Sequence, residues 1–182
     1  MKHGMDEEIR KAMAHGRRVQ ETVRDIALKA LTARELDPAA VRKATEEVVG
    51  AIRDAAAAQG GAAKEATAQA MQGVEQALAH AAQALRLTIE EAAGRAEKFS
   101  REDLARAREM LQDIAKHARA SGAAVARELG ETQLPERLAE AGRAQFQAGM
   151  KAAATSGEML ARIASGVLAG IADALAGKPK DR

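Results

Sequence analysis

Apolar residues recur along this chain at alternating steps of three and four, the spacing that places them on one face of an α-helix. Ile9, Ala12, Gly16, Val19, Val23, Ile26, Ala30 and Ala33 form the first such line, with the period of about 3.5 that suits a coiled-coil seam. The pattern predicts a helix over 6–35, with Asp6, Glu7 and Glu8 in its first turn, where the helix dipole favours negative charge. Asp37 followed by Pro38 predicts an N-cap and a first-turn proline for the next helix, 38–58. That helix carries Val41, Thr45, Val48, Ile52 and Ala55 on one face and weakens at Gly60-Gly61, a turn or kink.

A third helix is predicted over 62–98. Met71, Leu78, Leu85, Ala92 and Phe99 recur every seven residues, and Val74, Ala81 and Thr88 form a companion line that Arg95 breaks. Before Met71 the face is nearly all alanine, which predicts a weakly anchored half. Ser100 to Asp103 resembles a capping box with aspartate in place of Glu or Gln, and opens a fourth helix over 101–129. Its apolar line is Leu104, Ala107, Leu111, Ile114, Ala118, Val125 and Leu129, with a bend at Gly122, a stop at Gly130 and a restart at Pro135. The last helix, 135–176, has one line through Phe146, Met150, Ala153, Gly157, Leu160, Ala164, Val167, Ile171 and Ala174. A second line, Gly142, Gly149, Ser156, Ile163 and Gly170, is small except for Ile163; Gly177 and Pro179 end the helix. β-Branched residues are scattered singly at helical spacing, so no strand is predicted. The expectation is an all-α fold: one domain over 1–182, an elongated bundle of four to five long amphipathic helices with coiled-coil-like packing.

Composition changes this picture in one respect. Alanine fills about a quarter of the chain, and Phe99 and Phe146 are its only aromatic residues. Alanine forms helices readily but adds little burial volume, so shallow seams and surface binding are expected rather than a deep enclosed site. Charged residues make up 30% with both signs mixed, the net charge is +2, and no block of five or six like charges occurs. With few aromatics for base stacking, a nucleic-acid partner is not expected. The chain contains no cysteine, which fits a cytoplasmic protein, and its first residues hold no apolar signal-peptide core. The charge-free stretch Ile163 to Ala172 is about half of the roughly 20 residues a membrane span requires.

Candidate chemistry is sparse. His3, His15, His80 and His117 form no metal-ligand pair at helical spacing. Glu46-Glu47 and Glu90-Glu91 lie on charged helical stretches, as solvated faces do, and no phosphate loop or nucleophile elbow is present. No catalytic residue, cofactor or metal is expected, and the chain reads as a non-enzyme. Gly166 to Gly170 is a GxxxG motif, which reads as close packing within a bundle or as a specific oligomer or membrane contact. The sharpest signal is 158–176. Met159, Leu160, Ile163, Val167, Leu168, Ile171 and Leu175 share a broad apolar sector, with Arg162 and Asp173 on the polar side. This is either the best-packed helix of a bundle or one that lies in a lipid or polymer interface.

In composition, cysteine content and length the chain resembles the phasins, bacterial coat proteins of polyhydroxyalkanoate granules. In its tandem amphipathic helices broken at Pro or Gly it resembles the exchangeable apolipoproteins and their bacterial analogues. Small uncharacterised helical proteins of proteobacteria share the same look. The resemblance implies a non-enzymatic surface-binding or scaffolding protein. Its helices, chiefly 158–176, would associate with a membrane periphery or a polyhydroxyalkanoate granule. The alternatives are a coiled-coil protein that self-associates as a homo-oligomer without lipid, and, more weakly, a nucleoid-associated DNA-binding protein.

Overall fold

In the computed structural model the described residues are 2–33, 36–95, 99–121, 136–152 and 159–176. Among them every regular element is helical: α1 (Lys2–His15), α2 (Val19–Thr32), α3 (Pro38–Gln59), α4 (Lys64–Ala93), α5 (Arg101–Ser121), α6 (Glu136–Ala152) and α7 (Met159–Leu175). A single 3-10 turn, Gly60–Ala63, joins α3 to α4. The all-α expectation stands. The four to five long helices do not, because two of them are divided.

The first division falls at residues 16–18. The seam predicted over 6–35 is interrupted by Gly16 at φ 61° and Arg18 at φ 56°, both left-handed. Glycine adopts that conformation freely, whereas for Arg18 it carries strain. The break leaves Gly16 exposed while Ile9, Met13, Val19 and Val23 on either side are fully buried. The first helix also begins at Lys2, a turn before the predicted start, so Asp6 to Glu8 lie inside it rather than at its end. The second division lies between α6 and α7, where the helix predicted over 135–176 becomes two. The 101–129 helix is described to Ser121; Gly122, Val125, Leu129, Gly130 and Pro135 fall outside the described residues, as do Gly177 and Pro179.

The signals at 37 and 100 hold because they are local. Asp37 Oδ1 accepts hydrogen bonds from the backbone N–H of Ala39 and Ala40, each 2.9 Å, and Pro38 occupies the first turn of α3. Before α5, Ser100 Oγ accepts from the Asp103 N–H at 3.1 Å. Asp103 Oδ2 accepts in return from the Ser100 N–H at 3.2 Å and its hydroxyl at 2.7 Å. This reciprocal pattern is a capping box built with the shorter acid. Within α3 the whole predicted face, Val41, Thr45, Val48, Ile52 and Ala55, is buried.

At the centre stands α4, which packs against α2, α3, α5, α6 and α7. From Ala77 to Leu85 every residue but His80 is buried, so this helix has no solvent face over that length. The two buried threonines satisfy themselves on their own helices: Thr45 Oγ1 donates to the Val41 carbonyl and Thr88 Oγ1 to the Ala84 carbonyl, both at 2.8 Å. The alanines from Ala77 to Ala84 are thus enclosed, while the half before Met71, expected to be weakly anchored, leaves Lys64, Glu65 and Ala68 exposed. Methyl side chains let neighbours approach on several sides at once, where larger ones would hold them apart. A small recess where α2, α3 and α4 meet, lined in part by Ala27, Ala44, Val74 and Ala77, measures about 10 Å3. That is room for one water at most, so the alanine seam is closely packed.

The α2–α4 contact is tight at Gly73, which sits against Gln20 to Arg24 while Ala77 and Leu78 border Ala27 and Leu31; α2 and α4 thus run in the same direction. A Cβ at Gly73 would fall inside contact distance of the Gln20 carbonyl oxygen and 2.9 Å from the Arg24 backbone nitrogen. Neither backbone atom can yield without moving a helix. In contrast, a Cβ at Gly50 in α3 meets nothing within 4 Å. Urea denaturation should show Gly73→Ala losing about 1–3 kcal/mol and Gly50→Ala gaining up to about 1 kcal/mol.

Candidate functional site

The apolar sector singled out in the sequence belongs to α7, the most apolar of the described helices. The structure turns it inward. Leu160, Ile163, Val167, Leu168 and Ile171 are at most 3% exposed. Leu175 is half-buried at the edge of the core, and Met159 opens the helix with its side chain outside the described set. Arg162 and Asp173 are exposed, as their place opposite the sector requires.

Two surfaces cover this sector. One is α6, folded back on α7 as an antiparallel hairpin: Gly149 lies against Ile163, Gly142 against Val167, and Gly170 against Ala141 and Gln145. The other is formed by α2 and α4. The small-residue line predicted along one continuous helix is thus split between two helices that face each other. The GxxxG motif divides in the same way. A Cβ at Gly170 would lie 3.2 Å from the Ala141 carbonyl oxygen, whereas one at Gly166 meets nothing within 4 Å. Only one of the two glycines serves the helix contact.

On its other side α6 docks beside α4, running in the same direction. Leu87 borders Gly142, Glu91 faces Arg143, and Arg95 faces Phe146. Phe146 is 1% exposed and Phe99 5%. Their ring centroids are 6.4 Å apart with the planes tilted by 46°, and the Arg95 guanidinium carbon lies 5.6 Å from the Phe146 centroid. The two aromatic residues of the chain therefore meet, with an arginine over one of them. Sequence reasoning placed them on separate seams; the one available signal was Arg95, a charge in a line of apolar positions.

Two polar ties to the hairpin are long. Arg143 Nε is 3.6 Å from Glu91 Oε1, and the Ser165 hydroxyl donates to the Thr32 carbonyl at 3.5 Å. The other polar candidates find ordinary neighbours. His15 Nδ1 donates to the Lys11 carbonyl at 2.7 Å, His80 Nδ1 to Gln83 Oε1 at 3.1 Å, and Glu90 accepts from Arg86 Nε at 2.8 Å. The side chains of His3 and His117 lie outside the described set. The Lys11 ammonium, 2.9 Å from Glu7, holds that carboxyl below its ordinary range, but both groups are well exposed. Among the described residues no group of three His, Asp or Glu is placed to hold a metal, and no helix is long and apolar enough to cross a membrane.

Apolar burial and the Arg143–Glu91 pair are separable by measurement. In urea denaturation Arg143→Ala should cost less than about 0.5 kcal/mol, because an exposed ion pair contributes little. Ile171→Ala should cost about 2–5 kcal/mol by leaving a cavity beneath α7.

No curated protein and no solved structure matches the chain significantly. A family model does, over residues 2–114 and again over 105–177. The chain belongs to the family of unknown function DUF6781.

Proposed function

We propose that this chain is a non-enzymatic, surface-binding helical protein whose C-terminal hairpin leaves the bundle and opens between α6 and α7, laying the apolar sector of α7 on an external apolar surface. The surface is the periphery of a lipid membrane or of a polyhydroxyalkanoate granule in the cytoplasm. In the closed form the heptad seams pack against one another in coiled-coil fashion. One observation carries the reading: the most apolar of the described helices buries an aliphatic sector, Leu160, Ile163, Val167, Leu168 and Ile171, against glycines of α6 and against α2 and α4. An interface of that kind can be exchanged for an apolar surface without stranding buried hydrogen-bonding groups. Burying an aliphatic side chain is worth about 2 kcal/mol, so the five deeply buried residues represent on the order of 10 kcal/mol. A lipid or polymer surface returns most of that, which brings the closed and open states within reach of each other.

Because α7 supplies core residues, deleting it would strip the bundle as well as the sector. A cross-link is the cleaner test. The Cβ position at Gly149 is 3.7 Å from Ile163 Cβ, within the range a disulfide requires. In this cysteine-free chain the pair Gly149→Cys and Ile163→Cys forms one disulfide that holds α6 over the sector. Reduced protein should co-sediment with phosphatidylcholine vesicles or amorphous polyhydroxybutyrate particles, and oxidised protein should remain in solution. Equal behaviour of the two forms would overturn the reading. Absence of binding with concentration-dependent sedimentation would select self-association instead.

A further inference from the structure

We infer that the cluster of Arg95, Phe99 and Phe146 is the catch that governs release of the C-terminal hairpin. The inference rests on the surface-binding reading for its purpose and on geometry for its existence. Among the described side chains of α6, Phe146 is the largest that is buried, alongside Leu138 and Gly142. So the bulkiest point at which α6 is held to the bundle is Phe146. That point is gripped by residues of the turn between α4 and α5, with Phe99 at 6.4 Å and Arg95 at 5.6 Å from the Phe146 ring. Phe99 directly precedes the capping box of Ser100 and Asp103. Arg95 occupies a position the heptad line would fill with an apolar residue. A cation over the ring face is attracted by its quadrupole and keeps a solvated edge on the contact. An aliphatic residue there would extend the core; an arginine leaves a contact that can part. None of the three lies on α2, α3 or α4, although both rings belong to the shared core, so loosening them acts first on the hairpin.

Hydrogen exchange on the full chain tests this. Phe146→Leu and Phe99→Leu should each speed exchange of α6 and α7 amides tenfold or more, while the buried amides of α2 and α3 change less than twofold. The double variant should exchange no faster than about twice either single one, because the two rings act on one contact. Arg95→Gln, which leaves both rings in place, should raise hairpin exchange a few fold and serves if either ring variant fails to fold. Val48→Ala in α3 is the control and should speed exchange throughout. A ring variant that matches the control pattern, or independent multiplying effects of the two rings, would overturn the catch. Sedimentation with phosphatidylcholine vesicles separates the two readings: faster hairpin exchange with greater binding supports both, and faster exchange without binding keeps the catch and removes the surface-binding role.

Discussion

Everything in this fold depends on how closely helices can approach α4. A helix with large side chains all round has neighbours at about 8–10 Å. One with methyl groups and a glycine on several faces can be approached from many sides, and α4 is. Its stretch from Ala77 to Leu85 is enclosed by helices that meet one another only in part. The stabilisation comes from many small contacts rather than from a few bulky anchors, and dispersion over a close-packed seam adds up in that way. It follows that the molecule tolerates little enlargement along this helix and gains little from losing any one methyl group.

Local signals were legible in the sequence, and non-local ones were not. The caps at Asp37 and Ser100 involve residues two and three positions apart, and the buried face of α3 follows from periodicity alone. The break after His15 was hidden because Ile9 to Ala33 keep helical spacing through it; Gly16 falls on the seam and reads as a small packing residue. The fold between α6 and α7 was hidden for the same reason. A seven-residue line is compatible with one long helix and with two antiparallel ones, and which forms depends on what else they touch. The enclosure of Ala77 to Ala84 was not legible, because methyl groups give little hydrophobic signal and enclosure depends on the number of neighbours.

The candidate site divides along the same line. The apolar sector of α7 was visible as a hydrophobic run with Arg162 and Asp173 opposite it. That it faces inward, and that α6 supplies half of its cover through glycines, required the tertiary arrangement. The sector is thus stored rather than displayed, and any surface-seeking role must be coupled to opening. Such coupling limits adventitious sticking, since the closed chain offers its strongest apolar face to itself.

With no tryptophan or tyrosine, the chain has only Phe99 and Phe146 as aromatic chromophores, and both lie in one contact. Near-ultraviolet circular dichroism of this protein is therefore the spectrum of a single corner. Most proteins average such a signal over a dozen rings, but this one carries, unlabelled, a spectroscopic gauge of whether its last two helices are docked.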